Sequence, residues 1–356
     1  MSRRIYLRPT AFVDAPFGHD REVARLAGGL NWFSAVEAIS DEGSELVSVE
    51  AVPERLAAWG GVAQRAWANI TGARVALPLG ERTVRLDQPQ VVGIVNVTPD
   101  SFSDGGRNLD PLTAAEAGFA MASAGAAIVD IGGESTRPGA KAVWEGDEIQ
   151  RVVPVIEKLA ASGTAVSVDT RKAAVMEAAL KAGAHLVNDV SALTYDPMGA
   201  ATVARTGCPV VLMHHQGTPE TMQRDPCYDR PVLLEVYDWL AERIEAAVSA
   251  GIKRENIIVD PGIGFGKTIQ HNLQLLNGLS LLHGLGCPIM LGASRKRMIG
   301  ALSNEAPVDA RLPGSLALAL KGAEQGVQLI RVHDVPETIQ ALKVWRGLRD
   351  CALTPH

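Results

Sequence analysis

Eight short apolar runs recur after residue 90, and their rhythm constrains the fold more than any other feature of the chain. They are VVGIVNV at 91–97, AAIVDIG at 126–132, AVSVDT at 165–170, HLVNDV at 185–190, CPVVLMH at 208–214, NIIVD at 256–260, CPIMLG at 287–292 and VQLIRVHD at 327–334. Apolar runs of this length that do not alternate with polar residues suit strands buried on both faces. Helix-like segments separate them, including PLTAAEAGFAMASAG, DEIQRVVPVIEKLAASG, RKAAVMEAALKAG, DPMGAATVARTG, PVLLEVYDWLAERIEAAVSAG and TIQHNLQLLNGLSLLHG. A long SRK-to-GSLALALKGAEQG crossover and a closing PETIQALKVWRGLRD helix complete the series. Strands alternating with helices call for parallel pairing, and the span is close to the roughly 250 residues of a (β/α)8 TIM barrel. An open doubly wound sheet would place its ligand at one switch point. Here polar residues end many of the runs: Asn96, Asp130, Asp169, Asn188, His214, Asp260 and His333. A closed barrel brings those ends around one mouth.

Residues 1–88 read as an α/β extension of unknown role, and 89–356 as the catalytic barrel domain. In the extension, RIYLRPTAF and ARVALPLG suggest strands, whereas NWFSAVEAIS and PERLAAWGGVAQRAWANI suggest two amphipathic helices with Trp59 and Trp67 available for burial. No chemical arrangement stands out there, which favours a packing role.

Composition excludes several functions. Lys and Arg total 34 against 40 Asp and Glu, a net charge of −6, and aromatic residues make up only 4%. A polybasic nucleic-acid binder with base-stacking platforms is disfavoured. The four cysteines are far apart and form no CxxC pair, so neither a disulfide framework nor a cysteine-rich zinc site is expected. The opening residues lack the apolar segment of a secretory leader, and no apolar stretch reaches about 18 residues. A cytoplasmic chain without membrane contact is the expectation.

The segments after the runs carry the chemistry. NVTPDSFSDGGR at 96–107 is dense in acidic and hydroxyl groups, and Asn96 offers a neutral oxygen suited to Mg²⁺ beside a phosphate; an Asx-rich turn is the plain alternative. In GGESTRPGA at 132–140, Arg137 with Ser135 and Thr136 could cradle a planar anion, or form a salt-bridged surface loop. Asp130, Asp169, Asn188 and Asp260 lie in or at the ends of apolar strands, where an unpaired carboxylate is costly. A ring rich in N–H donors, such as a pterin, would satisfy them together, whereas Asp189 reads better as a helix cap or strand lock.

IIVDPGIGFGKT at 257–268 lacks the GxxxxGK[ST] spacing of a nucleoside triphosphatase. Its glycines would instead let the loop turn closely over a flat ligand, with Phe265 as a wall. Lys296, Arg331 and His333 follow the seventh and eighth runs, where such barrels often hold phosphate. The adjacent His214 and His215 do not reproduce a zinc-binding pair, and no nucleophile elbow or Ser–His–Asp arrangement is evident.

Taken in order, NVTPDSFSDGG, GGESTRPG, VSVDTRK, LVNDVSAL, LMHHQGTP, DPGIGFGKT, GASRK and IRVHD resemble the dihydropteroate synthase family of pterin-binding barrels over about residues 91–350. The resemblance implies condensation of (7,8-dihydropterin-6-yl)methyl diphosphate with p-aminobenzoate to give 7,8-dihydropteroate and diphosphate. It further implies a Mg²⁺ cofactor, a homodimer and a sulfonamide target. By matching motifs, Asn96 is similar to the Mg²⁺ and diphosphate contact, and Asp130, Asn188, Asp260 and Lys296 to the pterin-pocket set. Asp169 resembles the aspartate that recognises pterin and stabilises an electron-deficient intermediate, and Phe265 a pterin-site wall. Arg331 and His333 resemble the diphosphate-binding pair. Phe102 and Asp104 resemble the first substrate loop, and Thr136, Arg137 and Pro138 the second.

The chemistry so implied is a largely dissociative substitution at the pterin methylene, with the departing charge stabilised by Asn96, Arg331, His333 and Mg²⁺, and positive charge on the pterin by Asp169 and Asp104. One departure stands out: HHQG replaces the family's usual His–Met at His214–His215. Two rivals remain, a pterin-barrel methyltransferase using a methylated folate and a pterin-binding protein without turnover.

Overall fold

The computed structural model describes residues 4–98, 111–135, 140, 142–218 and 221–354. The extension opens with an antiparallel sheet of β1 (Tyr6–Val13), β2 (Ala24–Arg25), β3 (Trp32–Ser40) and β4 (Gly43–Ser48), in which β3 pairs with the other three. The segment 31–40, expected as a helix, is therefore a strand. Phe33, Val36 and Ala38 are buried in it, and β1 satisfies its backbone from Tyr6↔Ile39 to Val13↔Trp32. Its apolar residues fit either period, and the partner strand decided between them.

The other expected helix is two, α1 (Val52–Trp59) and α2 (Gly61–Thr71), broken at Gly60, whose φ of +84° leaves the helical region. Trp59 and Trp67 pack against the small core of this sheet, Trp67 edge-on to Phe33. A hairpin, β5 (Leu77–Leu79) and β6 (Arg82–Val84), leads into the barrel.

The barrel follows the expected order. Its first four strands are β7 (Gln90–Asn96), β8 (Ile128–Gly132), β9 (Val166–Asp169) and β10 (Leu186–Asp189), separated by helices α3 (Pro111–Ala124), α4 (Glu145–Ala161) and α5 (Ala173–Lys181). After α6 (Gly199–Thr206) come β11 (Val210–Met213), α7 (Val232–Ser249), β12 (Ile257–Asp260), α8 (Ile269–Asn277) and β13 (Met290–Leu291). The last elements are α9 (Arg297–Leu302), α10 (Leu312–Glu324), β14 (Leu329–Val332) and α11 (Val335–Ala352).

The strands pair in parallel in the order β12-β11-β10-β9-β8-β7-β14-β13, and a parallel bridge between Val259 and Ile289 joins the two ends of that row. Closure into a ring removes both sheet edges. The helix expected over TIQHNLQLLNGLSLLHG ends at Asn277; Leu279–Leu285 form a 3-10 turn in which every residue is buried.

That turn is buried because the extension lies on it. Ser280 Oγ donates to Pro9 O at 2.8 Å, Asn69 Nδ2 to Gly284 O at 2.8 Å, and Arg74 Nη2 to His283 O at 3.0 Å. Asn31, also buried, donates to Ala323 O (2.7 Å) and Glu324 O (3.2 Å) at the C-terminal end of α10. Carbonyls in a helix's last turn lack the usual i+4 amide, and Asn31 adds to the turn bond that Ala323 O accepts from Gly326 N at 3.1 Å. Asn31→Ala is expected to lower stability by about 1–3 kcal/mol, seen as a lower urea midpoint with the slope unchanged. An unaltered midpoint would show that the extension does not support the barrel through this contact.

The hairpin has a different position. Leu77, Leu79, Val84 and Leu86 form one buried cluster with Val92, Ile128, Ala165, Leu186, Val211, Ile258, Met290 and Leu329. Each of the latter eight lies in or beside a different barrel strand, so the hairpin closes the N-terminal end and the other end is left to carry polar residues.

Candidate active site

Side chains alternate along a strand, so stepping two residues from that apolar floor gives the next inward layer. It consists of Ile94, Asp130, Ser167, Asn188, Met213, Asp260, Gly292 and Arg331. Two residues further along, Asn96, Gly132, Asp169, Ser294 and His333 stand nearer the mouth. Six of the seven polar ends seen in the sequence thus form two stacked rings above a dry floor; His214, one residue past the inward Met213, is in neither.

Arg331 ties the rings together. Its Nε donates to Asp130 Oδ2 at 2.6 Å and its Nη2 to Asp169 Oδ2 at 2.7 Å, while Asn188 Nδ2 donates to the same Asp130 oxygen at 3.0 Å. The guanidinium fork allows one cation to hold two carboxylates from different strands. Burial, opposed by Arg331 and reinforced by the neighbouring Asp130 carboxylate, pushes the Asp169 carboxyl up to about 7.

Asp130 Oδ1 and Ser167 Oγ are buried and take no hydrogen bond from the described residues. They belong to register partners on adjacent strands, β8 and β9. Buried polar atoms are ordinarily paired, so two in one ring mark a surface shaped for a hydrogen-bonding ligand.

Across the ring, Asp260 is buried and accepts from the Gly262 amide at 2.7 Å. Burial raises its pKa, against the pull of Lys296, Arg331 and Lys267. Its other oxygen lies 3.6 Å from where a Cβ would stand on Gly292, which leaves that oxygen room. Lys296 Nζ lies 4.3 Å from the centre of the Phe265 ring, so the wall residue and the cation form one unit. His333 Nδ1 is 3.1 Å from Ser294 Oγ, and Arg295 in the same loop pairs with Asp334 at 2.9 Å.

Asn96 and Asp169 flank Gly132: a Cβ there would lie 3.6 Å from both Asn96 Oδ1 and Asp169 Cβ. Among the described residues, no group of three or more His, Cys, Asp or Glu could hold a metal. A Mg²⁺ that keeps waters and substrate phosphates as ligands needs only one or two protein oxygens. The Asn96 amide oxygen beside the Asp169 carboxylate fits such a role.

The structure therefore brings Asn96, Asp130, Asp169, Asn188, Asp260, Phe265, Lys296, Arg331 and His333 to the C-terminal face of the barrel. Phe102, Asp104, Thr136, Arg137 and Pro138 lie outside the described residues. Asp189 has the locking role expected of it, accepting from Ser191 N and Oγ (2.7 and 2.6 Å) and Leu193 N (2.9 Å). His214 is buried against Trp239 of α7, with ring centres 4.9 Å apart, and burial lowers its pKa well below the ordinary value. His215, the unusual residue of the pair, meets Trp239 at 5.8 Å and accepts or donates at Thr194 Oγ1 (3.5 Å).

Reading by sequence passed over two buried lysines. Lys172 Nζ donates to Glu134 Oε1 (3.0 Å), Glu148 Oε2 (2.5 Å) and Val143 O (2.8 Å). Lys267 lies behind the loop after β12. Both stand inside motifs already noted, VDTRK and GFGKT, but nothing in a lysine's local sequence tells whether it faces solvent.

The pterin binding enzyme family matches residues 92–333. The dihydropteroate synthase of Escherichia coli strain K12 is 48% identical over 260 residues, covering 73% of this chain and 91% of that protein. That of Mycobacterium leprae is 48% identical over 261 residues, covering 72% and 92%. Among solved structures, the Yersinia pestis dihydropteroate synthase in a sulfonamide drug complex superposes with a TM-score of 0.74 at 47% identity, covering 78% of this chain and all of that one. The Xanthomonas albilineans dihydropteroate synthase with 4-aminobenzoic acid gives 0.72 at 46% identity, covering 77% and 98%; the same enzyme with 7,8-dihydropteroate gives 0.70 at 44%, covering 77% and 99%.

Proposed function

The chain belongs to the dihydropteroate synthase family of pterin-binding enzymes, and from that membership we propose how its residues divide the condensation. The protein is a transferase of folate biosynthesis. It joins (7,8-dihydropterin-6-yl)methyl diphosphate to p-aminobenzoate, releasing diphosphate and forming 7,8-dihydropteroate. The observation that carries the pterin pocket is the pair of buried, unpartnered atoms Asp130 Oδ1 and Ser167 Oγ beside Asn188. Asp130, Asn188 and Asp260 offer acceptors for the N–H groups of the ring, and Phe265 with Lys296 covers a face.

His333 and Asn96 stand in the ring nearer the mouth, and Arg331 reaches up from the ring below to Asp169 beside them, where the diphosphate would depart. Mg²⁺ held by Asn96 would neutralise charge on that leaving group. Arg331 offers donors fixed in advance by Asp130 and Asp169, so little reorganisation is needed as charge develops. Asp169, anionic, favours positive charge at the pterin methylene, and the bond to oxygen breaks ahead of amine attack. Thr136, Arg137, Pro138, Phe102 and Asp104 would then hold the arylamine near that carbon and limit capture by water.

This assignment gives a pH prediction. Asp169 ionises near 7 rather than near 3.8, so acid should weaken turnover with an apparent pKa near 7 in kcat/KM for the pterin substrate. Asp169→Asn should flatten that limb while lowering activity. For stability the sign is opposite: the folded protein keeps this proton where the unfolded chain has lost it, so its contribution falls as pH rises from about 4 to about 7. A wild-type profile flat across that range would show that Asp169 does not titrate near 7 and is anionic throughout it.

The remaining readings concern context. No helix among the described residues is long and apolar enough to cross a membrane. We infer a cytoplasmic homodimer that acts on small molecules and not on nucleic acid, in keeping with the acidic balance and low aromatic content. The extension would support the wall of the barrel through the 3-10 turn, with no part in chemistry.

The deciding experiment follows diphosphate release from the pterin substrate with and without p-aminobenzoate and Mg²⁺, and identifies the product by mass. Formation of dihydropteroate dependent on both additions is expected; pterin binding without product would point to a binding protein.

A further inference from the structure

The loop after β12 winds around a lysine. Gly262, Gly264 and Gly266 have φ values of +66°, +85° and +63°, and with Ile263 and Phe265 between them the chain coils tightly enough to turn its carbonyls inward. At the centre is Lys267 Nζ, 2% exposed, donating to Gly262 O at 2.9 Å and Phe265 O at 3.0 Å and lying 2.8 Å from His214 Nδ1. With His214 O further off at 3.5 Å, those three shorter contacts match the three protons of the ammonium when His214 is neutral. They connect the start of the loop, its apex and the end of neighbouring β11.

Gly262 also donates to Asp260, and Phe265 carries Lys296 over its ring. The contact is close: a Cβ on Gly262 would lie 1.8 Å from His214 O, so loop and strand end cannot move independently. Lys267 therefore reaches both an acceptor and a wall of the pterin pocket from behind, without facing the pocket itself.

We propose that Lys267 is a positioning residue for the pterin pocket, holding the 261–266 loop against His214 so that Asp260 and Phe265 keep the geometry that receives the ring. The inference rests on the pterin-binding reading above. Removing the ammonium takes the donor from Phe265 O and the tie to His214, and leaves Gly262 O with the Phe265 amide alone, so the apex of the loop loses its anchor while its start stays packed on His214 O.

The test titrates full-length wild type and Lys267→Met with 6-hydroxymethylpterin by calorimetry, and measures KM for p-aminobenzoate at saturating pterin diphosphate. Lys267→Met should weaken pterin binding by about tenfold or more, with KM for p-aminobenzoate within about twofold. In a double-mutant cycle with Phe265→Leu the losses should be less than additive, because both act through one loop. Unchanged pterin affinity together with a lower melting temperature would overturn the proposal and leave a purely structural lysine, as would additive losses. Should Lys267→Met not yield soluble protein, His214→Leu removes one anchor of three and should weaken pterin binding by about threefold; wild-type affinity in that variant overturns the proposal. Failure of the wild type itself to bind the pterin would instead sink the functional reading.

Discussion

Arg331→Met is expected to reduce turnover by about 10²–10³-fold and to destabilise the fold by about 3–5 kcal/mol. The two losses have one origin. The guanidinium holds Asp130 and Asp169 at 2.6 and 2.7 Å, so without it two carboxylates at the heart of the barrel face each other with no cation between them. At the same time the leaving group loses a donor that those carboxylates had fixed in place. Product formation under saturating substrates reads the first loss, and urea unfolding the second. Arg331→Lys should fall between, because a point charge cannot bridge both carboxylates as a planar fork does. Should the methionine variant turn over within about tenfold of wild type, Arg331 would have no part in diphosphate departure, and its role would be confined to packing the acidic ring.

Lys172→Met should cost stability on the same scale, about 3–5 kcal/mol by urea unfolding, with a different effect on kinetics. Lys172 neutralises Glu134 and Glu148, which are both buried, and Glu148 Oε1 already lacks a partner among the described residues. Burial alone would raise the Glu134 carboxyl, but Arg171, the Val143 amide and Lys172 outweigh it and hold the pKa below the ordinary 4.5. This stabilisation is accordingly present above that value and is lost as acid protonates Glu134.

Glu134 also accepts from Val143 N at 2.9 Å, and these two residues bracket the segment that carries Thr136, Arg137 and Pro138. If that segment serves the arylamine, Lys172→Met raises KM for p-aminobenzoate more than KM for the pterin substrate. A stability loss with both KM values unchanged would show that the ion network supports the fold alone.

Much of this site was legible in the chain because its residues obey local rules. Asn96, Asp130, Asp169, Asn188 and Asp260 each interrupt or end an apolar run, and a polar side chain at such a place is visible without knowing its neighbours. Lys172 and Lys267 were not legible in this way. Each adjoins a recognisable motif, yet a lysine is usually solvated, and only the folded partners show these two to be buried: Glu134 after β8 and Glu148 on α4 for Lys172, and the coiled loop's own carbonyls with His214 for Lys267. The extension shows the same limit for backbone structure. The pattern of residues 31–40 allowed a helix, and a strand 19 to 33 residues earlier took it into a sheet.

What the sequence determined by itself was the barrel and the face on which its chemistry would lie, since the alternation of strand and helix and the polar end of each strand are properties of a few consecutive residues. What only the tertiary structure decided was which polar atoms meet. Arg331 stands 201 positions from Asp130 and 162 from Asp169, and one guanidinium reaches both because the row of strands closes on itself, placing the last strand against the first. Periodicity is a local property, whereas partnership across a closed ring depends on the register of every strand in it.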